Sequence, residues 1–187
     1  MEALIVIDAQ NEFSAEGRRP VPNHAEALEA IRRRVDEARR EGRPIAWIRH
    51  HNPPDEGPAF QPGTWGAELS PGLGPEPGHG PETELQKDVY GAFTGTDLES
   101  WLEDVGADAV LLVGFYAHVC LSTTAREGLM RGLAVSLDPE GSGSCDIEHD
   151  VLGTQSAEEV RRSALLQLAQ MGARIAPSRT QEAAASG

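Results

Sequence analysis

Residues 3–8 read Ala3-Leu4-Ile5-Val6-Ile7-Asp8, and residues 109–114 read Ala109-Val110-Leu111-Leu112-Val113-Gly114. Both runs are short, apolar and rich in branched side chains, and neither alternates with polar residues. Strands of that kind are buried on both faces, as in a parallel sheet covered by helices. Working outward, helical spacing of Ala27, Leu28, Ile31, Val35 and Ala38 predicts a helix over 23–41, with Asn23 as cap and Gly42 as stop. Residues 44–49 and 85–89 follow as strands. Thr96 or Asp97 opens a helix to Val105, residues 121–131 form another, and 134–137 a fifth strand. Ser156 and Glu159 are spaced as a capping box for a helix over 156–171, and 174–176 close as a last strand. Strands alternating with helices predict an α/β three-layer sandwich: a mainly parallel, doubly wound sheet of about six strands with helices on both faces. We expect one domain over 1–179 and a frayed tail over 180–187. Residues 52–81, dense in Pro and Gly, are long for a loop in a compact domain and read as a functional loop, a lid or an interface element.

Composition narrows the function. The 187 residues carry a net charge of −14. Such a surface repels phosphate backbones and anionic lipid heads, so neither nucleic acid nor membrane is an expected partner. No export signal or membrane span is visible, which points to a cytoplasmic protein with free thiols at Cys120 and Cys145. Of the 16 Lys+Arg residues only Lys87 is lysine. A compact ammonium differs chemically from a guanidinium fork, and its retention at one position suggests a task. Asp8, Lys87 and the segment leading to Cys120 all fall at carboxyl ends of predicted strands, where doubly wound sheets place their sites. An acid, a cation and a thiol just before a helix suit a nucleophilic catalyst. The helix dipole and the ammonium would favour the thiolate, with the carboxylate as general base.

Three motifs in order carry a family resemblance spanning Leu4 to Ile175. They are Ile7-Asp8-Ala9-Gln10-Asn11-Glu12-Phe13; Gln86-Lys87 with Tyr90-Gly91-Ala92-Phe93 and Gly95-Thr96-Asp97-Leu98; and Gly114-Phe115-Tyr116-Ala117-His118-Val119-Cys120-Leu121 with Thr124-Ala125-Arg126. Together they resemble the isochorismatase-like cysteine hydrolases, which include nicotinamidases and related amidohydrolases. The resemblance implies Cys120 as nucleophile, Asp8 as base and later acid, and Lys87 holding both. It implies a cis peptide bond between Phe115 and Tyr116, with the Tyr116 and Cys120 amides facing the developing oxyanion. Ala117 stands where the family often has threonine, Leu121 where it often has valine, and Ser136-Leu137-Asp138-Pro139 departs from the usual strand end. Homo-oligomers, dimeric or tetrameric, are also implied.

Pocket candidates are Gln10, Phe13, Trp65, Tyr90, Tyr116 and His118. No metal and no other cofactor is expected. The Asp-x-His-x-His pattern of nicotinamidases is absent, and the adjacent His50 and His51 point to opposite sides of an extended segment. One of them should be packed and the other in solvent. His79 and His149 lack partner spacing, Cys145 has no assigned role, and Arg32-Arg33-Arg34 reads as a solvated helix face. The leading expectation is hydrolysis of a carbon–nitrogen bond in a small amide, imide or carbamoyl compound through a thioester. The alternatives are vinyl-ether hydrolysis of the isochorismatase type and a catalytically idle binding domain.

Overall fold

The computed structural model describes residues 1–177. The elements follow in the order β1 (Glu2–Ile7), α1 (His24–Glu41), β2 (Ile45–His50), β3 (Glu82–Lys87), α2 (Leu98–Asp104), β4 (Ala109–Gly114), α3 (Ser122–Met130), β5 (Ala134–Ser142), β6 (Ile147–His149), β7 (Gly153–Gln155), α4 (Ala157–Gln170) and β8 (Arg174–Ile175). Six strands form one sheet in the order β3-β2-β1-β4-β5-β8, and every pairing in it is parallel. The expected three-layer α/β architecture is therefore present.

Side chains alternate between two cores. Ala3, Ile5 and Ile7 of β1, with Ala46, Ile48, Val110 and Leu112, pack on the side of Leu98, Leu102, Ala125 and Leu168 from α2, α3 and α4. Leu4 and Val6, with Ile45, Trp47, Leu111 and Val113, face Leu28, Ile31 and Val35 of α1. Apolar contacts on both faces account for the unbroken apolar runs of β1 and β4. Gly42 ends α1 in the left-handed region at φ 66°, and its amide closes on the last carbonyls of the helix. At α4 the capping box between Ser156 and Glu159 is formed in both directions.

Several boundaries differ from the expected ones. β3 begins at Glu82, before the apolar residue Leu85, because its pairing with β2 runs from Ile45↔Glu82 to His50↔Lys87. β5 extends to Ser142, through residues whose Gly and Ser content resembles a loop. The β6–β7 hairpin, three exposed residues a side, carries no hydrophobic pattern from which it could be read. The side chain of Asn23 does not cap α1; it donates to the Ser142 carbonyl at 3.1 Å. The Arg32-Arg33-Arg34 run is not a solvated face: Arg33 pairs with Glu140 and Arg34 with the fully buried Asp138, each at 2.7 Å, tying α1 to β5. The expected tail lies outside the described residues. No described helix is long and apolar enough to cross a membrane.

β1 leads to β2 and β3 on one side, and β4 to β5 and β8 on the other. The order reverses between β1 and β4, so the crevice outside their carboxyl ends is the natural site.

Candidate active site

Four adjacent segments deliver side chains to this crevice. Asp8 follows β1, His50 ends β2, Lys87 ends β3 and Cys120 lies beyond β4. Lys87 starts two strands away from Asp8, roughly 10 Å at the backbone. Its long stem crosses the end of β2 to reach the carboxylate, and Nζ lies 2.8 Å from Asp8 Oδ2 with both side chains fully buried. On the way the ammonium donates to His50 Nδ1 at 3.2 Å. The other ring nitrogen of His50 lies 2.7 Å from Asn52 Oδ1. This pattern is satisfied by a neutral imidazole that accepts at Nδ1 and donates at Nε2. Burial, then the Lys87 charge, lower the proton affinity of His50 in the same sense.

Backbone geometry sets the angles. Asp8 takes a left-handed conformation, φ 50°, a region Asp tolerates better than most residues. Its amide donates to the Ile48 carbonyl at 2.9 Å and its carbonyl accepts from Gln10 at 2.7 Å. Gly114 sits at φ 123°, and a Cβ there would lie 1.8 Å from the Ile7 carbonyl oxygen. Only glycine permits β4 to pass so close to β1 just before the site. The Phe115–Tyr116 bond is cis, and the Tyr116 amide has no acceptor among the described residues.

Cys120 does not directly precede a regular helix, as the sequence suggested. It lies in a π-helical segment, Ala117–Leu121, where the Leu121 amide reaches the Tyr116 carbonyl at 3.2 Å. Its own carbonyl accepts from Thr124 Oγ1 at 2.8 Å. The same hydroxyl accepts from the Ala92 amide, and the Glu127 carboxylate accepts from Phe93 and Thr94. The loop carrying Tyr90 is thereby pinned to α3.

The thiol also departs from expectation. Burial first, then the neighbouring Asp8 carboxylate, push its proton affinity well above the ordinary range, and Lys87 only partly offsets them. Lys87 is moved the other way: burial alone would favour its neutral amine, but the Asp8 carboxylate against it outweighs burial and holds the ammonium. The resting site therefore holds a carboxylate, an ammonium and a protonated thiol. The free thiolate expected from a dipole and a nearby cation is overridden because Cys120 is only 6% exposed and has a carboxylate beside it. The second carboxylate oxygen, Asp8 Oδ1, is buried with no hydrogen-bond partner among the described residues. It is the available acceptor for a proton.

A cavity of about 270 Å³ opens onto this cluster, lined by Asp8, Cys120 and His50 at its base. Phe13, Phe60, Tyr90, Tyr116 and Val119 form the walls, with Arg19, Asn52 and Glu56 also in the lining. Phe13 meets Tyr116 edge-on at 4.8 Å and Phe60 at 5.2 Å. Of the six pocket candidates, Phe13, Tyr90 and Tyr116 line the cavity. Gln10 lies behind it, its amide exchanging hydrogen bonds with the His50 backbone at 2.8 and 3.0 Å and so holding the end of β2. Trp65 is half-exposed and outside the lining. His118 pairs with Ser144 at 3.1 Å and faces a separate cavity beside α4. His50, Asn52, Glu56, Phe60 and Arg19 were not singled out from the sequence as site residues. The loop 52–81 contributes Asn52, Glu56 and Phe60, and the buried Glu12 carboxylate accepts from the Phe60 amide at 3.3 Å. His50 is the packed histidine. His51 is half-buried rather than in solvent, with its Nε2 enclosed.

A metal is a poor fit. Ligand atoms of Asp8, His50 and Cys120 lie within 4.8 Å of one another. Both nitrogens of His50 are already engaged, one by the Lys87 ammonium and one by Asn52. A divalent cation would also have to sit against that ammonium.

The isochorismatase domain model matches residues 2–179. The chain belongs to the isochorismatase family of hydrolases. It is 35% identical over 158 residues to the secreted isochorismatase effector Isc1 of Verticillium dahliae, covering 84% of this chain and 78% of that protein. It is 29% identical over 156 residues to nicotinamidase 3 of Arabidopsis thaliana, covering 78% and 75%. The crystal structure of an isochorismatase from Pseudomonas putida superposes with a TM-score of 0.86 at 31% identity, covering 94% of this chain and 87% of that one.

Proposed function

We propose that this family member is a cysteine-dependent hydrolase of a small amide, imide or carbamoyl compound. The observation carrying this reading is the arrangement of the Lys87 ammonium on Asp8 Oδ2, Cys120 beside the same carboxylate, and Asp8 Oδ1 with no hydrogen-bond partner among the described residues. The thiol gives its proton to Asp8 as sulfur attacks the carbonyl carbon. The carbonyl π electrons move to oxygen, and the Tyr116 and Cys120 amides stabilise the oxyanion, one such donor being worth about 3 kcal/mol of barrier. Collapse restores the carbonyl, and the leaving nitrogen departs with the proton held by Asp8. A thioester remains. Asp8 then takes a proton from water as water attacks the thioester, and the carboxylic acid is released with the thiol restored. The net reaction consumes one water and yields an acid and an amine. Amide hydrolysis suits the name of the Arabidopsis relative, and the thiol placed against a base supports it over vinyl-ether cleavage, which has no need of sulfur.

The test is product detection across a panel of small amides and isochorismate. We expect an amine or ammonia from at least one amide, an acyl adduct on Cys120 by mass spectrometry, and neither from Cys120→Ala. Pyruvate from isochorismate, undiminished in Cys120→Ala, would overturn the reading.

A further inference from the structure

We infer that the cavity selects substrates bearing a carboxylate remote from the reacting amide, and that Arg19 is the residue that reads it. This rests on the amide-hydrolase reading of the same site. Arg19 lines the cavity but has no ion pair among the described residues, although acidic side chains outnumber basic ones 30 to 16 in this chain. Its neighbour Arg18 approaches the Glu12 carboxylate at 3.9 Å, and the nearby acid is thereby engaged elsewhere. The backbone of Arg19 is fixed on both sides: its amide donates to the Glu12 carbonyl at 3.0 Å, and its carbonyl accepts from the Tyr116 hydroxyl at 2.9 Å. The backbone of Arg19 is thus fixed beside the Phe13–Tyr116 wall, its exposed guanidinium reaches the cavity lining with no counter-ion among the described residues, and a carboxylate matches that fork.

Glu56 also lines the cavity, on the wall of His50 and Asn52, where its charge acts on the His50 ring. It repels an anion placed on that side. A carboxylate-bearing substrate therefore docks in one direction, with its anion on the Tyr116 wall. A volume of 270 Å³ lies below the range of drug-sized pockets, which favours a short spacer between amide and acid.

Three length-matched probes test this: succinamate (anionic), butyramide (neutral) and 4-aminobutyramide (cationic). Each is scored by hydrolysis and by its protection of Cys120 from iodoacetamide at pH 9. We expect succinamate to protect at the lowest concentration. We expect its advantage over butyramide to shrink by about tenfold or more in Arg19→Gln, but not in the control Arg162→Gln on exposed α4. Equal protection by all three, preference for the cation, or an unchanged ratio in Arg19→Gln would overturn the inference. If no probe is hydrolysed while Arg19-dependent protection by succinamate persists, carboxylate recognition stands and the hydrolase reading falls. If butyramide and succinamate are cleaved equally by both proteins, the reverse holds.

Discussion

Replacing Lys87 with methionine removes one charge from a fully buried pair and keeps most of the side chain's volume. Its partner, Asp8, lies 2.8 Å away with no exposure of either side chain, and His50 is left without its donor. A carboxyl buried without a counter-charge takes up a proton rather than carry the charge. The unfolded chain keeps that carboxyl ionised at pH 7, so neutralising it costs about 4 kcal/mol at that pH, from an ordinary value near 3.9. At pH 5 the same cost is about 1.5 kcal/mol. The variant's folded state binds the extra proton, so its stability rises as pH falls. With a urea slope of about 2 kcal/mol/M, the midpoint should fall by about 2 M at pH 7 and by less than 1 M at pH 5. Asp8→Asn in the Lys87→Met background removes the stranded charge and should recover most of the loss. Urea titrations followed by tryptophan fluorescence at both pH values measure all of this. A Lys87→Met loss below about 1 kcal/mol, or one equal at pH 5 and pH 7, would refute the account of a buried charge pair.

Asp8→Asn alone should separate nucleophile ionisation from catalysis. Removing the carboxylate that raises the Cys120 thiol should speed its alkylation at pH 7 while amide hydrolysis falls at least a hundredfold for lack of a base; slower alkylation would contradict the assigned cause. His50→Asn keeps an acceptor for Lys87 but cannot titrate. Because the folded-state pKa of His50 is depressed, its share of stability is complete above about 6.5 and is lost as pH falls toward the depressed value. The wild type should therefore lose more stability than His50→Asn between pH 7 and pH 5, as read from paired denaturation curves. Gly114→Ala should lose about 3 kcal/mol or more, since φ 123° is closed to alanine and its Cβ would meet the Ile7 carbonyl; a melting temperature near wild type would show that β1 and β4 can separate.

The sheet was legible because β1 and β4 are apolar on both faces, a pattern that parallel packing alone requires. Asp8, Lys87 and Cys120 were legible as chemistry at strand ends, and the structure brings them together. His50 was not, for a definite reason. Its importance comes from the register His50↔Lys87, which puts its ring beneath the lysine stem, and register between parallel strands separated by a 31-residue connection is not written locally. Arg19, Asn52 and Glu56 sit on irregular segments, where no periodicity tells which side chains face inward. The protonated thiol was missed because dipole and cation can be guessed from sequence, whereas the burial that outweighs them cannot. Gln10 shows the converse: a polar residue in a recognisable motif that holds backbone in place behind the cavity.

A buried site tolerates chemistry best when its charges stay paired throughout. Carboxylate, ammonium and thiol begin with one anion beside one cation. In the proposed attack, the proton leaving sulfur neutralises Asp8 while negative charge passes through sulfur to the carbonyl oxygen. Lys87 therefore faces a single negative charge at each stage, first on Asp8 and then on the adduct, and no uncompensated ion appears in low dielectric. This requirement gives the lone lysine a physical role. It must cross β2 from β3, carry a fixed charge, and give separate protons to Asp8 and His50. A planar guanidinium of the same reach would place a bidentate fork where the site presents separate acceptors. Lys87→Arg should therefore preserve the net charge yet cut amide turnover by at least a hundredfold. If kcat/KM instead stays within threefold of wild type with the fold intact, charge alone suffices and the directional role of the ammonium protons is wrong.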